Sequence, residues 1–285
     1  NTNYNYQWWR TDTVPAQMVG TNATYQPPTN SIGQFTYECV ITNNPPSADC
    51  EYTTNTHTLI VNPAPQVSVL PGQNDTICVD GVIPPLEVDV TGPGSISWEW
   101  QLYNVITGNW DMQSTGSAPD DATNPTHTAP TDQAGIFNYR CLVSFSSGGC
   151  STQTSLPIEI TIVDDPIVLT ITSPDAICDG GTISPNLDIT HTTGVGSIIY
   201  TWYDASGTPV QSGATSPYNP GALSPAGTYT YYVVVNYNGN GCDIATSPTT
   251  QIDVMPDPSA DTILFTQTVC QSPTSSADIL EIDLT

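Results

Sequence analysis

An internal repeat constrains the fold of this chain more than any other feature of its sequence. The phrase Gly-x-aromatic-x-Tyr occurs three times, and its copies lie roughly 100 and then roughly 90 residues apart, the length of one small β-domain. The copies begin at Gly33, Gly135 and Gly227. The chain is therefore expected to consist of tandem domains of one kind.

Two further phrases recur with the same period. Ile-Cys or Val-Cys precedes a segment in which apolar and polar residues alternate. The three alternating segments are Leu86–Thr91, Leu187–Thr190 and Leu280–Thr285. Alternation with period two predicts a strand with one face in a core and the other in water. An aromatic-x-Trp phrase also recurs, and its copies end at Trp8, Trp100 and Trp202.

Put in chain order, these phrases predict units of about seven strands each. Residues 65–165 and 166–258 are expected to form two complete units. Residues 1–64 correspond to strands three to seven of one unit, and residues 259–285 to the first two strands of another. We therefore expect either a window of a longer chain or head-to-tail assembly, in which the last two strands of one copy complete the first unit of the next.

The composition excludes several classes of partner. The 285 residues include 27 acidic residues and only two basic ones, which gives a formal charge of -25. This charge repels phosphate backbones and anionic lipid headgroups, and no apolar run approaches the roughly 18 residues that cross a bilayer. Neither nucleic-acid binding nor direct membrane insertion is expected. With 38% hydrophobic residues, 21 Gly and 26 Pro, the chain has the composition of many short strands joined by turns.

Two aromatic positions indicate the kind of domain. Trp100 and Trp202 fall on the expected third strand, and Tyr37 and Tyr139 stand two residues before a Cys on the expected sixth strand. These positions are typical of an immunoglobulin-like sandwich. The chain resembles the tandem Ig-like or PKD-like repeats of giant Bacteroidetes cell-surface adhesins, including gliding-motility adhesins exported by type IX secretion. The resemblance implies an all-β fold of tandem immunoglobulin-like β-sandwich repeats that form an elongated rod, outside the cell and at its surface.

The same resemblance implies a non-catalytic stalk segment of a large secreted cell-surface adhesin or extracellular filament. Its partners are then neighbouring repeats of the same chain and other cell-surface or secretion-system proteins. The alternatives are a carbohydrate-binding module, which has glycans as partners, and a spacer region of a secreted glycan-active enzyme. No catalysis is expected, because the three histidines occupy unrelated positions of different repeats and the chain has no lysine.

Aromatic residues at repeated positions are expected to lie in the cores. They are Trp8, Trp100, Trp202, Tyr37, Tyr139 and Tyr231. Trp9 and Trp110 do not repeat, and on an exposed strand or loop they would be available to stack on sugar rings.

The eight cysteines, with no Cys-x-x-Cys pair, indicate disulfide bonds formed in an oxidising, extracytoplasmic compartment. The third unit contains only Cys178 and Cys242, so a bridge internal to that unit joins these two residues. The equivalent bridge in the second unit joins Cys78 to Cys150.

This pairing leaves Cys39 and Cys141 as buried thiols, and Cys50 and Cys270 without partners. The alternative is a local bridge across the hairpin of strands six and seven, which joins Cys141 to Cys150 and Cys39 to Cys50. We favour the first pairing because closing a loop of about 60 to 70 residues stabilises by roughly 4 kcal/mol, against about 2 to 3 kcal/mol for a hairpin.

Two kinds of modification or ligand are suggested by local patterns. Acidic residues cluster at the joints between units, where bound calcium would relieve the negative charge, although no twelve-residue calcium loop is present. These residues are Asp164, Asp165, Asp175, Asp257 and Asp261. Asp-Thr-aliphatic triplets, which resemble the O-glycosylation signal of Bacteroidetes, place candidate modifications at Thr13, Thr76 and Thr262. No other cofactor is expected.

Overall fold

The computed structural model describes residues 4–43, 50–120, 123–146 and 149–259. In these ranges every regular element is a β-strand, which confirms the all-β prediction. The first eleven strands are β1 (Tyr4–Arg10), β2 (Gln17–Gly20), β3 (Gly33–Asn43), β4 (Glu51–Thr53), β5 (His57–Val61), β6 (Gln66–Val69), β7 (Asp75–Cys78), β8 (Leu86–Thr91), β9 (Ile96–Asn104), β10 (Asn109–Ala118) and β11 (Thr126–His127).

The remaining described strands follow in the same chain order. They are β12 (Gly135–Phe145), β13 (Gln153–Thr154), β14 (Ile158–Val163), β15 (Val168–Ile171), β16 (Ile177–Cys178), β17 (Ile189–His191), β18 (Ile198–Asp204), β19 (Pro209–Gly213), β20 (Gly227–Tyr237), β21 (Ala245–Thr246) and β22 (Thr250–Met255).

The chain divides into two compact units, whose limits differ from those of the sequence repeats. The first unit consists of Asn1–Asn74, Pro84–Ala129 and Phe137–Glu159, and the second of Asp75–Ile83, Pro130–Ile136 and Ile160–Thr285. The short strand β7 therefore belongs to the second unit, although it precedes β8 in the sequence repeat.

The first unit contains three groups of antiparallel strands. One sheet has the order β2-β1-β3-β4, with β5 also paired to β3. In a second group β9 lies between β10 and β12, and β13 also pairs with β12. In the third, β8 lies between β6 and β11. The apolar residues Leu86, Val88 and Val90 of β8 are buried, whereas Asp89 between them is exposed, as the period-two alternation predicts.

The second unit contains a sheet with the order β16-β22-β20-β18-β19, in which β21 also pairs with β20. Its core is built around Trp202, Val233 and Ile252, all of which are fully buried. The alternating segment Leu187–Thr190 forms a shorter strand than the sequence predicts. Leu187 forms an isolated bridge to Tyr218, and β17 begins only at Ile189. In this unit β15 pairs with β17, and β7 pairs in parallel with β14.

The three sequence repeats place the same residues opposite each other in neighbouring strands. Trp8 of β1 pairs with Cys39 of β3, Trp100 of β9 with Cys141 of β12, and Trp202 of β18 with Val233 of β20. Strands β3, β12 and β20 each begin at the glycine of the repeated phrase and are eleven residues long. The tandem repeat is therefore a repeat of strand pairing as well as of sequence.

A hydroxyl side chain at a repeated position joins the strand that carries Cys39, Cys141 or Val233 to the segment that follows it. The backbone N–H of Cys39 donates to Thr54 Oγ1 at 2.9 Å, that of Cys141 to Ser155 Oγ at 3.0 Å, and that of Val233 to Ser247 Oγ at 2.9 Å. In return, the backbone N–H of each hydroxyl residue donates to the carbonyl of its partner. Thr54 donates to Cys39, Ser155 to Cys141 and Ser247 to Val233, each at 2.9 Å. The sequence analysis did not identify these hydroxyl residues, although their spacing of 14 or 15 residues from the paired position repeats.

Candidate repeat-linking site

A disulfide bond joins two different sequence repeats. It connects Cys78, the last residue of β7, to Cys242, which follows β20, and the two Cα atoms are 4.8 Å apart. The bonded residues are 164 positions apart in the chain, and both belong to the second compact unit. We call the disulfide and the residues around it the linking site. Residues 65–165 supply one half of the linking site and residues 166–258 supply the other.

Hydrogen bonds from Asn240 hold the backbone of the two halves together next to the disulfide. The N–H of Cys78 donates to the carbonyl of Asn240 at 2.9 Å, and the N–H of Val82 donates to Asn240 Oδ1 at 3.0 Å. Asn240 Nδ2 donates in turn to the carbonyl of Val82. The Asn240 amide both accepts from and donates to the backbone of Val82, as a neighbouring strand would. This pair of bonds fixes the orientation of the hairpin relative to the Cys78 loop as well as the distance between them.

A second side chain reaches the same hairpin from the joint between the sequence repeats. The N–H of Asp243 donates to Asp165 Oδ1 at 3.0 Å. The joint residue is therefore a part of the linking site, because it binds the residue that follows Cys242.

Glycine is required where the two halves meet. Gly241 has φ +81°, in the left-handed region that favours glycine, and a Cβ there would overlap the backbone of Gly81. A Cβ on Gly81 would lie 2.9 Å from the carbonyl oxygens of Asn240 and Cys78. Close backbone contact between the loop at Cys78 and the hairpin at Gly241 depends on both glycines.

The predicted disulfide pairings are wrong. Cys78 bonds to Cys242, while Cys150 and Cys178 are free thiols, so neither Cys78–Cys150 nor Cys178–Cys242 forms. The reason is visible in the third repeat, where Cys178 pairs in parallel with Met255 at the far end of β22. Cys242 precedes β21 and β22, so the six-residue strand β22, about 17 Å long, separates the two cysteines. A disulfide requires Cα atoms within about 7 Å.

The alternative hairpin pairings do not form either. Cys39 and Cys141 are buried free thiols, Cys50 and Cys178 are exposed, and Cys150 is half-buried. Burial raises the pKa of Cys141 to about 12 and also raises the pKa of Cys39. Both of these cysteines therefore serve as core side chains, as expected. Cys270 lies outside the described residues.

Each sequence repeat contains a triad of aromatic rings, of which the sequence analysis found two members. Tyr25 lies between Trp8 and Tyr37, with ring centroids 6.1 and 5.7 Å away. His127 lies between Trp100 and Tyr139 at 5.9 and 5.4 Å. Tyr218 lies between Trp202 and Tyr231 at 5.6 and 5.5 Å. The middle ring was missed because its residue type changes, although it precedes the repeated Tyr by a nearly constant number of residues.

The triads differ in their exposure. Trp100 and Trp202 are fully buried, and Tyr37, Tyr139 and Tyr231 are buried. Trp8 is only half-buried, and with Tyr25, Tyr37 and Leu59 it lines a groove of about 410 Å³.

Ser114 and His127 bring a hydroxyl and an imidazole together, and both side chains are half-buried. Ser114 Oγ lies 2.9 Å from His127 Nδ1. The His127 ring stacks on Trp100, its Nε2 is buried, and burial lowers the pKa of its imidazole.

The remaining predicted aromatic, acidic and hydroxyl sites are dispersed. Trp9 and Trp110 are half-buried, and Arg140 covers one face of Trp110 with its guanidinium carbon 4.1 Å from the ring centroid. Thr13 is half-buried, with its hydroxyl 2.9 Å from the Pro15 carbonyl, and Thr76 is exposed on β7. Thr262 and Asp261 lie outside the described residues.

The acidic residues at the joints do not form a metal site in the described part of the chain. Asp164, Asp175 and Asp257 are exposed, and Asp165 binds the backbone of Asp243. Nowhere in the described ranges do three or more His, Cys, Asp or Glu side chains come close enough to hold a metal ion.

Comparison with known proteins agrees with the sandwich geometry. Residues 166–256 match the model of the Ig-like domain family described as CHU_C associated. The matched segment contains the Cys242 half of the linking site. No curated protein matches the chain significantly.

Among solved structures, the chain is similar to tandem domains of several proteins. The fibronectin(III)-like modules of Clostridium thermocellum CbhA share 15% identity, with 67% of this chain and 95% of that one covered and a TM-score of 0.30. Three consecutive domains of titin share 11% identity, with 88% of each chain covered and a TM-score of 0.40. Domains EC21–23 of human CDH23 share 12% identity over 88% of this chain and 89% of that one, with a TM-score of 0.40. No helix in the described part of the chain is long and apolar enough to cross a membrane.

Proposed function

We propose that this chain is a non-catalytic structural segment of a large secreted cell-surface protein, in which covalently linked Ig-like repeats form an extended rod. The observation that carries the proposal is the Cys78–Cys242 bond, which joins consecutive sequence repeats. Cys78 is fully buried and Cys242 packs against the core of the third repeat, and the bond between them crosses from one repeat to the next. It limits the relative movement of the repeats, which is the property that a stalk or filament requires and a catalytic domain does not.

Small-angle scattering tests the rod. A compact protein of this length has a radius of gyration of about 19 Å. We expect a clearly larger value together with a β-sheet circular dichroism spectrum, because an unfolded chain would also give a large radius. A radius near 19 Å would contradict the proposal. The matched control is Cys78→Ser with Cys242→Ser, for which we expect the same dichroism and a broader distribution of interatomic distances.

We further propose that this cell-surface protein is an adhesin of Bacteroidetes, exported by type IX secretion and used in adhesion or gliding. It is supported by the match of residues 166–256 to the CHU_C associated Ig-like family and by the cysteine content. Antibody labelling of intact source cells provides the test. Surface label that disappears when secretion is blocked is the expected result, and label seen only after lysis would refute the placement.

A carbohydrate-binding role is the second candidate, and the open groove at Trp8, Tyr25 and Tyr37 is the observation in its favour. We prefer the structural role because the corresponding Trp and Tyr rings at the repeated positions are buried in the other two repeats. A glycan array with the intact chain separates the candidates. Binding that is lost in Tyr25→Ala but retained in Trp110→Ala would favour a glycan site in the groove.

A further inference from the structure

The loop at Cys178 has the same backbone conformation as the loop at Cys78, which holds the hairpin of the next repeat. Cys78 pairs in parallel with Val163 at the end of β14, and Cys178 pairs in the same way with Met255 at the end of β22. The N–H three residues after each cysteine donates back to its carbonyl, from Gly81 at 3.1 Å and from Gly181 at 2.9 Å.

The two loops are also anchored alike to their own repeats. The N–H of Val79 donates to Val163 and that of Asp179 to Met255, both at 2.9 Å. The next residue has a positive φ in each loop, 62° at Asp80 and 76° at Gly180. The Cys178 loop is therefore already folded into the shape that binds a hairpin at Cys78.

The acidic residue of the linking site is repeated as well. Asp165 lies two residues after Val163 and accepts from the hairpin N–H of Asp243, and Asp257 lies two residues after Met255. Asp257 and Cys178 are both exposed. Cys178 and Asp257 thus correspond to Cys78 and Asp165 of the linking site, and both are exposed to solvent.

The Gly-Cys step of the complementary half recurs in the second sequence repeat. Gly149 has φ +84°, close to the +81° of Gly241, and each glycine precedes a cysteine. A Cβ on Gly149 would meet no atom within 4 Å, whereas one on Gly241 would overlap Gly81. Gly149 therefore has the left-handed backbone of the glycine in the bonded hairpin, with open space where Gly81 lies against Gly241. The residue at the position of Asn240 is Gly148, so the side-chain amide is not repeated.

We propose that these two sites link further Ig-like repeats: Cys178, with Asp257, bonds the Gly-Cys hairpin of a following repeat, and Cys150 bonds the Ile-Cys loop of a preceding one. The proposal deepens the structural role proposed above. Its ligand is an Ig-like repeat of this kind, supplied either by the same polypeptide or by a second copy of the chain.

Bond formation is a thiol–disulfide exchange with a low-molecular-weight disulfide, such as oxidised glutathione, as oxidant. The Cys178 thiolate displaces one glutathione thiol, and the hairpin thiolate then displaces the second. Two protein thiols lose two protons and two electrons, which reduce one glutathione disulfide to two thiols.

An added repeat tests the site directly. In a variant chain, Asp257 is followed by a second copy of residues 166–258, so that the joint has the natural length. The added copy carries Ile244→Val, which marks its hairpin peptide by mass, and Cys178→Ser, which leaves one Cys178 in the molecule. After oxidation by glutathione, non-reducing peptide mapping should show Cys178 bonded to the added Cys242, alongside the natural Cys78–Cys242 bond.

The natural bond is an internal positive control. If it forms while Cys178 and the added Cys242 stay reduced, or if Cys178 bonds elsewhere, the proposal is overturned although the rod itself could still stand. As a matched variant, Asn240→Ala in the added copy removes two hydrogen bonds to the loop. We expect about a 30-fold lower equilibrium constant for the new bond, since two such hydrogen bonds contribute about 1 kcal/mol each.

The unmodified 285-residue chain distinguishes the two sources. Oxidised at increasing concentration, it should form dimers linked from Cys178 to Cys150 if a second copy supplies the hairpin. A chain that stays monomeric while the added repeat becomes bonded assigns the partner to the same polypeptide. Dimers linked only through two Cys178 residues would refute the hairpin geometry.

Discussion

Cysteines in this chain have different chemistry because they occupy different positions of one repeated sandwich. Cys39 and Cys141 occupy the strand position that Val233 fills in the third repeat, and all three side chains point into a core. Cys178 and Cys50 are both exposed, the first at the end of β16 and the second immediately before β4. A cysteine that replaces valine in a core behaves as a small apolar residue.

Alkylation should therefore divide the free thiols into two groups. We expect iodoacetamide at neutral pH to modify Cys50 and Cys178 within minutes, and Cys141 only after denaturation, because burial raises the pKa of Cys141 to about 12 and excludes the reagent. Mass spectrometry of native and denatured samples gives the two rates. Rapid native modification of Cys141 would show that the core of the second repeat is open.

His127 places an imidazole at the centre of an aromatic triad, where the other repeats have the phenol rings of Tyr25 and Tyr218. Its Nε2 and the Nε1 of Trp100 are buried without hydrogen-bond partners. In the third repeat the equivalent indole N–H of Trp202 donates to the Ser216 carbonyl at 2.6 Å. The second repeat should therefore be the more sensitive to acid.

The sign of this sensitivity follows from the direction of the pKa change. Burial lowers the pKa of folded His127 from 6.5, so below pH 6.5 the unfolded state takes up the proton first and the free energy of unfolding falls. The loss is complete once the pH is below the folded-state pKa. Denaturant titrations between pH 7.5 and 5 should show it, and His127→Phe should remove it. His57→Gln, at an exposed position, should leave the profile unchanged.

At the scale of strands, the repeated hydroxyl bridge is the contact that sequence inspection overlooked. Ser155 and Ser247 are buried, and each accepts a backbone N–H that belongs to the Tyr-bearing strand. Each bridge joins that strand to the segment leading to the closing strand of its sandwich. The bridge therefore fixes the segment before the closing strand against the Tyr-bearing strand.

Removing one bridge should destabilise its repeat. We expect Ser247→Ala to lower the free energy of unfolding by about 1 to 3 kcal/mol, because the N–H of Val233 is left buried without an acceptor. Ser247→Thr retains the hydroxyl, as Thr54 does in the first repeat, and should lose less. Urea denaturation followed by tryptophan fluorescence measures both. An equal loss in the two variants would indicate a packing effect instead.

Strand positions could be predicted from this sequence more completely than strand partners. The repeated glycine marks the first residue of β3, β12 and β20, and burial of β8 follows its alternation. The linking site could not be predicted, because it depends on the parallel pairing of β7 with β14, which moves Cys78 to the end of its repeat. Period-two patterns record which face of a strand is buried and contain no information about which end of a neighbouring strand it meets.

At the scale of the whole chain, the formal charge of -25 dominates the electrostatics. Mutual repulsion favours expanded states and is screened by salt over about 10 Å at 0.1 M. We expect the melting temperature to rise by several degrees between 10 and 150 mM NaCl. Calcium and magnesium chloride at equal ionic strength provide the control. A larger rise in melting temperature with calcium than with magnesium would indicate a specific calcium site.

The cystine between Cys78 and Cys242 also has a mechanical consequence. Successive repeats are connected once through the peptide at Asp164-Asp165-Pro166 and a second time through sulfur, close to the same joint. Tension applied along the chain is therefore shared by two covalent paths, and twisting about the single peptide connection is blocked. Such a joint transmits torque as well as pull, whereas a joint with one peptide linker would swivel under load.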